Sequence, residues 1–302
     1  MNVKNTIGLI VSGAVFVGSF WLMGGLGAYW NLAALLVVGS GLAASILLSY
    51  PFADIRNALR VAKGSYSNRQ TGAVDIVRTL LELAVRCRVD GVLSLEKASK
   101  DTTSTFLRNG LMMLVDNCKE GEIRRVLTNE MSFFGLRRQQ SERIFQNMAR
   151  TAPAFGVAGS VIGLIGLLMG INDTTLILQS IPVALISTLY GVVLGSLVLA
   201  PVAENIHFNT RSQLLNHKLV LEGILAIRRE QNPYHLERLL SSYLTPEDRQ
   251  GQHEALRAIT RRHIERKKER KRAPEVADNP LMPAPTPSSG NGNGSKPAQS
   301  AA

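Results

Sequence analysis

Three hydroxyl side chains stand in otherwise apolar, uncharged sequence. Ser160 lies in "APAFGVAGSVIGLIGLL", and Ser187 and Thr188 lie in "VALISTLYGVVLGSLVLAP". Hydroxyl oxygens can bind a hard cation or order water, although Ser and Thr also bond back to their own helix carbonyls. At a rise of 1.5 Å per residue, Ser160 is about 10 Å from Pro153 and Thr188 about 20 Å from Pro201. If both prolines mark the inner membrane face, we expect the hydroxyls at two depths along one ion pathway.

Glycines recur at four-residue spacing around these hydroxyls. Gly159 precedes Gly163 by four positions, and Gly191 precedes Gly195 by four. Lipid supplies no hydrophobic drive between helices, so membrane helices associate where small residues let their backbones approach. The glycines therefore predict close helix packing, and packing alone remains an alternative explanation for glycines and hydroxyls together.

The elements that carry these residues are predicted from charge-free runs. Residues 5–53, 151–172 and 174–203 contain no Asp, Glu, Lys or Arg. A membrane-spanning helix needs about 20 mostly apolar residues. We predict four spans: Ile7–Met23, Leu32–Tyr50, Ala154–Ile171 and Leu178–Val202. A signal peptide is the alternative for the first, but no small-x-small cleavage site follows it and a second apolar segment comes at once.

The basic residues predict the orientation. Lys4 precedes the first span, and every other Lys and Arg lies between Tyr50 and Thr151 or after Val202. The positive-inside rule then places both termini and the long loop in the cytoplasm. This topology accounts for most of the net charge of +11 without nucleic-acid binding.

The cytoplasmic parts have helical periodicity. "AVDIVRTLLELAVRCR" places apolar residues on one stripe: Val74, Val77, Leu80, Leu81, Ala84 and Val85. The predicted fold class is an all-α integral membrane protein with a helical cytoplasmic domain between spans two and three and a cytoplasmic extension of span four. The expected divisions are residues 1–53 and 151–203 for two membrane hairpins, 54–150 for the cytoplasmic domain, 204–249 for the C-terminal helices, and 250–302 for a basic helix end and an unstructured tail.

Some chemistry is excluded. Cys87 and Cys118 fall in the reducing cytoplasm without metal-ligand spacing, so we expect core residues and no metal or cofactor. No nucleophile or phosphate loop stands out, which argues against an enzyme. No ionisable side chain lies inside a predicted span, although ion transport usually needs one. Either the chain transports nothing, or a carboxylate comes from another chain.

At this point the sequence resembles a known family. "APAFGVAGSVIGLIGLL" and "PVALISTLYGVVLGSLVLAPVAENI" resemble the third and fourth membrane helices of MotA/PomA flagellar stator subunits, in the MotA/TolQ/ExbB superfamily. "RVDGVLSLE", Arg88 to Glu96, resembles that family's basic-x-x-Gly-x-x-x-x-Glu stretch. The resemblance covers roughly residues 5–249.

The resemblance implies an ion-driven rotary unit. Several copies, five in the family, would surround a dimer of a single-span MotB-like partner whose membrane Asp binds the permeating H+ or Na+. The cytoplasmic domain would then act on the rotor switch protein. The implied roles are ion pathway for Ser160, Ser187 and Thr188, conformational coupling at helix ends for Pro153 and Pro201, and rotor contact for Arg88 and Glu96.

Two alternatives stay open at this point. A TolQ/ExbB-like energiser of envelope transport or gliding would use the same motor, although such relatives typically have one span before the cytoplasmic region and two are predicted here. A non-conducting scaffold would use the glycines and hydroxyls for packing only. The three hydroxyls favour Na+ slightly, yet protons can use the same oxygens through water.

Overall fold

The fold is all-helical, as predicted. The computed structural model describes residues 3–22, 25–67, 72–169, 174–229, 232–244 and 246–249, with residues 258 and 261, and within these ranges it contains no strand. The helices are α1 (Val3–Leu22), α2 (Leu32–Ser49), α3 (Phe52–Ser67), α4 (Ala73–Asp90), α5 (Ser94–Asp101), α6 (Thr105–Val115), α7 (Glu120–Met169), α8 (Thr174–Val193), α9 (Ala200–Arg228), α10 (Pro233–Ser241) and α11 (Pro246–Arg249). A 3-10 turn, Leu26–Tyr29, links α1 to α2, and a π-helix, Leu194–Leu199, links α8 to α9.

Three of the helical stretches are long and apolar enough to cross a membrane. They are α2, the C-terminal part of α7, and the path from Ser180 through α9. The remaining predicted span coincides with α1, a further 20-residue helix that begins at Val3 and ends at Leu22. Met23, Gly170 and Ile171, at predicted span ends, lie outside the described residues, as do most of residues 250–302.

Two long antiparallel helices form the axis of the molecule. α7 runs for 50 residues, and α8, the π-helix and α9 continue one another from Thr174 to Arg228. Each passes without a break between a long apolar segment and a charged segment. The expected divisions after residues 150 and 203 therefore fall inside continuous helices.

Pro153 lies inside α7 and so does not stand at a helix end, whereas Pro201 lies in the first turn of α9, directly after the π-helix. Pro153 cannot bond the Ala149 carbonyl, and Gly195 of the antiparallel helix packs against that carbonyl. Ahead of Pro201, the backbone shifts to π-type bonding, in which Ala200 donates to the Gly195 carbonyl. Membrane helices tolerate proline where such adjustments surround the freed carbonyls.

The half of the molecule that carries most charged residues, here called the charged half, folds around a leucine-rich core. α4, α6 and α10 pack against the first turns of α7 and the last turns of α9, and Leu80, Leu111, Ile123, Ile224 and Leu236 are completely buried. Val77, Leu81, Ala84 and Val85 of the predicted α4 stripe are buried there too, while Val74 is partly buried. Cys87 and Cys118 are free thiols partly buried against this core, as expected. Burial raises the pKa of Cys118, and Glu122 and Asp116 add to the effect.

A second cluster joins the half with the apolar helices, here called the membrane half, to the charged half. α2 and α3 meet α7 and α9 around Ile46, Ala58, Ile144 and Ile206. At this level the Tyr50 hydroxyl, just after α2, accepts a hydrogen bond from the Asn147 side chain.

Candidate functional site

Two of the three hydroxyls meet in the α7–α8 interface. The Ser160 hydroxyl donates to the Ala184 carbonyl across the interface at 2.5 Å, so the close bond between the Ser160 and Thr188 hydroxyls has Thr188 as its donor. The Gly156 carbonyl lies 3.3 Å from Ser160 Oγ and 3.4 Å from Thr188 Oγ1. Both side chains are only partly buried. Two helices thus bring a pair of hydroxyl oxygens and two carbonyl oxygens to one place.

The expectation that the hydroxyls lie at two depths is wrong. Pro201 is not the counterpart of Pro153, because the residue packed against Pro153 is Gly195. Seven residues separate Pro153 from Ser160, and seven separate Gly195 from Thr188, which is about 10 Å along each helix. The antiparallel register therefore places Ser160 and Thr188 at the same depth.

Ser187 faces a different way from its neighbour Thr188. Its side chain has no exposed surface, and its hydroxyl bonds only weakly, at 3.4 Å, to the Ala184 carbonyl of its own helix. A Cβ built on Gly159 would lie 2.6 Å from Ser187 Cβ. Ser187 is thus sealed between α8 and Gly159, away from the partly exposed hydroxyl pair.

The interface is so close that several glycines leave no space for a side chain. A Cβ built on Gly163 would lie 2.6 Å from the Ala184 backbone nitrogen, and one on Gly191 would lie 2.6 Å from the Ala152 carbonyl. Similar contacts surround Gly159 and Gly195. Real Cβ atoms do not approach backbone atoms so closely, so a side chain here would force the two helices apart. The glycines set the separation at which the two hydroxyls can meet.

Tyr190 was not singled out from the sequence. Its hydroxyl donates to the Tyr29 carbonyl at 2.6 Å and accepts from the Asn31 backbone N–H at 3.1 Å. The Asn31 side chain in turn caps the start of α2 by accepting from the Ala34 N–H. Tyr190 therefore ties α8, two residues after Thr188, to the turn before α2. No local pattern could reveal a bond that joins residues 161 positions apart.

The two charges of the "RVDGVLSLE" stretch occupy an exposed turn of the charged half. Arg88 is in the last turn of α4 and Glu96 in the first turn of α5, and both side chains are exposed. Gly91 reverses the chain between them with φ +84°, a conformation that favours glycine. Glu96 pairs with Lys100 at 2.9 Å, and this hydrogen bond lowers the pKa of Glu96. Lys100 is a partner that the sequence analysis did not identify.

A buried acid occurs on α7 outside the charge-free segment that begins at Thr151. Glu142 is 9% exposed, and it accepts hydrogen bonds from Gln146 at 2.8 Å and from His207 of α9 at 3.0 Å. These contacts satisfy its carboxylate where solvent cannot. Because Glu142 lies 18 residues before Ser160 on α7, about 27 Å at 1.5 Å per residue, it does not meet the hydroxyl pair.

In the part of the chain that the structure describes, no group of three His, Cys, Asp or Glu side chains could hold a metal ion. Residues 151–169 of α7 and the facing α8 contain no charged side chain, and they pack through glycines with hydroxyls in their interface. This arrangement is found in helical membrane subunits that pack tightly with further helices. Fold and site together define a multi-span helical membrane subunit.

Comparison with known proteins makes the class specific. The MotA/TolQ/ExbB proton channel family matches residues 98–220. Motility protein A of Aquifex aeolicus is 30% identical over 241 residues, which cover 77% of this chain and 92% of that protein. Chemotaxis protein PomA of Vibrio alginolyticus is 28% identical over 244 residues, covering 81% and 96%. The flagellar MotAB stator complex from Bacillus subtilis contains a chain of the same fold, with a TM-score of 0.72, 27% identity and coverage of 82% and 97%.

The chain belongs to the MotA family within the MotA/TolQ/ExbB proton channel proteins. The resemblance that its sequence indicated is confirmed, and members of this family are not enzymes.

Proposed function

We propose that this chain is the MotA-like subunit of a flagellar stator, and that it forms a cation channel with a MotB-like partner and couples ion flow to rotation. The observation that carries the proposal is the Ser160–Thr188 hydroxyl pair in an interface packed through glycine. The predicted spans lack an ionisable group. A channel of this kind needs an acid that binds and releases the ion, so the partner's membrane helix supplies it.

The chain crosses the bacterial inner membrane four times in this proposal, with α1 and α2 as one hairpin and α7 and α8 as the other. Both termini and the leucine-rich core lie in the cytoplasm, where the basic residues concentrate. Several copies, five by the family resemblance, ring a dimer of the partner.

Within the ring, Ser160 and Thr188 line the ion path. Their hydrogens point to carbonyl or hydroxyl oxygens of the protein, which leaves oxygen lone pairs free to accept from water or to bind a cation. Both side chains remain partly exposed. Ser187, which is sealed against Gly159, holds the interface together and acts on the path only through the position of Thr188.

Pro153 and Pro201 provide the conformational coupling. Each interrupts the regular hydrogen bonding of a helix that continues into the cytoplasm, so the helix can change its bend there without unfolding. The Arg88–Glu96 turn contacts the rotor switch protein. Its exposure and its position at the far end of the core support this role.

The first experiment removes the hydroxyl pair. Ser160→Ala with Thr188→Ala should lower stator torque at least about tenfold, the loss expected when polar groups that stabilise a transferring charge by about 1.4 kcal/mol are removed. Thr188→Ser keeps the oxygen and should retain most of the torque. Ser49→Ala is the matched control, because that hydroxyl bonds only to the Ser45 carbonyl of its own helix. Normal torque in the double variant would contradict the proposed ion path.

The ion is identified in the same assay. Torque measured while sodium is varied at constant membrane potential follows sodium in a sodium channel and is indifferent to it in a proton channel.

Rotor contact is tested by charge reversal. Arg88→Glu with Glu96→Arg should abolish swimming while leaving membrane insertion and partner binding unchanged. Charge reversal at Arg78, which is exposed on the same helix, is the control. Normal swimming of the Arg88/Glu96 variant would remove the rotor contact from the proposal.

A further inference from the structure

Two apolar side chains are exposed at the turn between α4 and α5. Leu93 is 75% exposed and Val92 is 43% exposed. They stand between Arg88 and Glu96, the two charges that the proposed function assigns to the rotor contact. A single exposed leucine is common on a protein surface, but an adjacent apolar pair inside a contact turn enlarges the apolar area that a partner can cover. The charges alone therefore do not describe this surface.

Hydrogen bonds hold the turn in one shape. The N–H and the hydroxyl of Ser94 both donate to the Gly91 carbonyl, at 3.1 and 2.7 Å. The Leu95 N–H donates to the Val92 carbonyl at 2.9 Å, and the Leu95 side chain is completely buried in the leucine-rich core. A turn that is already fixed loses little conformational entropy when a partner covers its side chains. Val92 and Leu93 are thus presented in a pre-organised position.

A cleft with a volume of about 330 Å³ lies beside the turn, and Gly91 and Val92 line it. Three side chains of the leucine-rich core, Ala84, Leu114 and Ile227, also line the cleft, so part of its wall is apolar. Binding pockets in proteins have volumes of about 300–1,000 Å³, and this cleft falls at the lower end of that range. The turn and the cleft form one surface, in which exposed apolar side chains stand next to a partly apolar hole.

The polar part of the cleft is positively charged. Arg88 and Arg228 line it, and among its lining residues in the described part of the chain there is no acid. Arg228 is held in place because its Nε donates to the Cys118 carbonyl at 2.9 Å. Glu122 and Asp116 act electrostatically on the nearby Cys118, yet neither lines the cleft. This charge favours a partner that carries an acid next to an apolar side chain.

We propose that Val92 and Leu93 are apolar anchors of the rotor contact, and that the cleft receives a large apolar side chain from an acidic helix surface of the rotor switch protein. A few side chains that lose all contact with water near the centre of an interface carry most of its binding energy, and a polar rim surrounds them. Arg88 and Glu96 belong to that rim.

The partner follows from continuity of the surface, because Arg88 belongs to the charged rotor contact and also lines the cleft. The inference rests on the proposed function for the identity of this partner. It goes beyond that function because it assigns the contact to apolar side chains and to a cleft, and not to the two charges alone.

The anchor is tested by titrating purified rotor switch protein against the full chain, assembled with its MotB-like partner in lipid nanodiscs. Leu93→Ser should weaken binding about tenfold, because a leucine side chain is no longer transferred out of water. Leu93→Met keeps an apolar side chain of similar volume and should bind like the unmodified chain. The side chain lies outside the core, so both variants should fold normally.

The cleft is tested by filling it. Cys87 lines the cleft, and Cys87→Leu puts a larger side chain into it, which should weaken binding about fivefold. Cys87→Ala leaves the cleft open and should bind normally. Because Cys87 is partly buried against the core, hydrogen exchange in α4 checks that both variants keep their fold.

Salt separates the anchors from the charges. Arg88→Gln with Glu96→Gln should reduce the salt dependence of binding, because salt screens exposed charges. Leu93→Ser should weaken binding by the same factor at low and high salt, because burial of an apolar side chain is not screened.

The outcomes distinguish this inference from the proposed function. Equal binding by Leu93→Ser and the unmodified chain would overturn the anchors and leave the charged rotor contact in place. Absence of binding by the unmodified chain, in particles that retain the MotB-like partner, would contradict the rotor contact itself and the anchors with it. Cross-linking of Leu93→Cys to a second copy of the chain, and not to the rotor switch protein, would overturn the inference in favour of a neighbouring copy.

Discussion

The two halves of this molecule hold their helices together by opposite means. In the membrane half, α7 and α8 meet through glycines such as Gly163 and Gly191, with backbone against backbone. In the charged half, α4 and α9 meet through large side chains, and Leu80 fills the space over Gly223. Water drives leucines together, whereas lipid is as apolar as leucine and leaves only close contact to favour association. The same two long helices therefore change their packing chemistry where they leave the membrane.

The largest effect is expected from adding a side chain in the membrane half. Gly191→Val would place atoms against the Ala152 carbonyl and the Gly156 backbone, neither of which can rotate away. The helices must separate, so the Ser160–Thr188 bond breaks and torque should be lost completely. Gly39→Val is the control, because nothing lies within 4 Å of a Cβ built there. Torque assays measure the function of both variants, and immunoblots of membrane fractions measure their insertion. Retained torque in Gly191→Val would contradict the claim that glycine contacts set the α7–α8 separation.

A smaller effect is expected from removing a side chain in the charged half. Leu80→Ala leaves a cavity in a fully buried position and should lower the free energy of unfolding by about 2–5 kcal/mol. Hydrogen exchange in α4 and α9 measures the change. Leu93→Ala, at a side chain that is 75% exposed, should alter exchange little. If both variants changed hydrogen exchange equally, the leucine-rich core would not depend on leucine packing.

The smallest effect is a pH dependence of stability, which we expect in the charged half. His217 stacks on Phe106, with ring centroids 4.3 Å apart, and burial lowers the pKa of its imidazole. The unfolded chain then binds a proton more readily than the folded chain, so stability falls as pH drops below about 6.5. Hydrogen exchange of α6 and α9 at falling pH should show the loss, and His217→Gln should reduce its pH dependence. An unchanged pH profile in that variant would show that other groups are responsible.

Sequence patterns were sufficient to predict the helices. They were insufficient to predict which residues of two packed helices lie at the same depth. Charge-free runs indicated the apolar helices, and the stripe from Val77 to Val85 indicated the core face of α4, because both patterns are local. The relative depth of Ser160 and Thr188 depends on which residue of one helix faces Pro153 in the other. That counterpart is Gly195, which only the antiparallel packing reveals.

The prolines illustrate the same limit in another way. The family resemblance implied helix-end positions for Pro153 and Pro201, and proline removes a backbone hydrogen bond from a helix that contains it. The helices continue since Gly195 packs at one freed carbonyl and a π-helix rearranges the bonding before the other proline. Neither the packing of Gly195 nor the π-helix can be predicted from the local sequence around the prolines. The same holds for Tyr190, whose bonds reach the turn before α2.

The unbroken length of α7 has a mechanical consequence. Arg125 lies 28 residues before Pro153, about 42 Å along a straight helix at 1.5 Å per residue. A change in bend of about 10° at Pro153 would move the far end sideways by about 7 Å, more than one helical turn is long. In this way a small structural change near one ion becomes a displacement of the far end of α7 that is large enough to move a contacting protein.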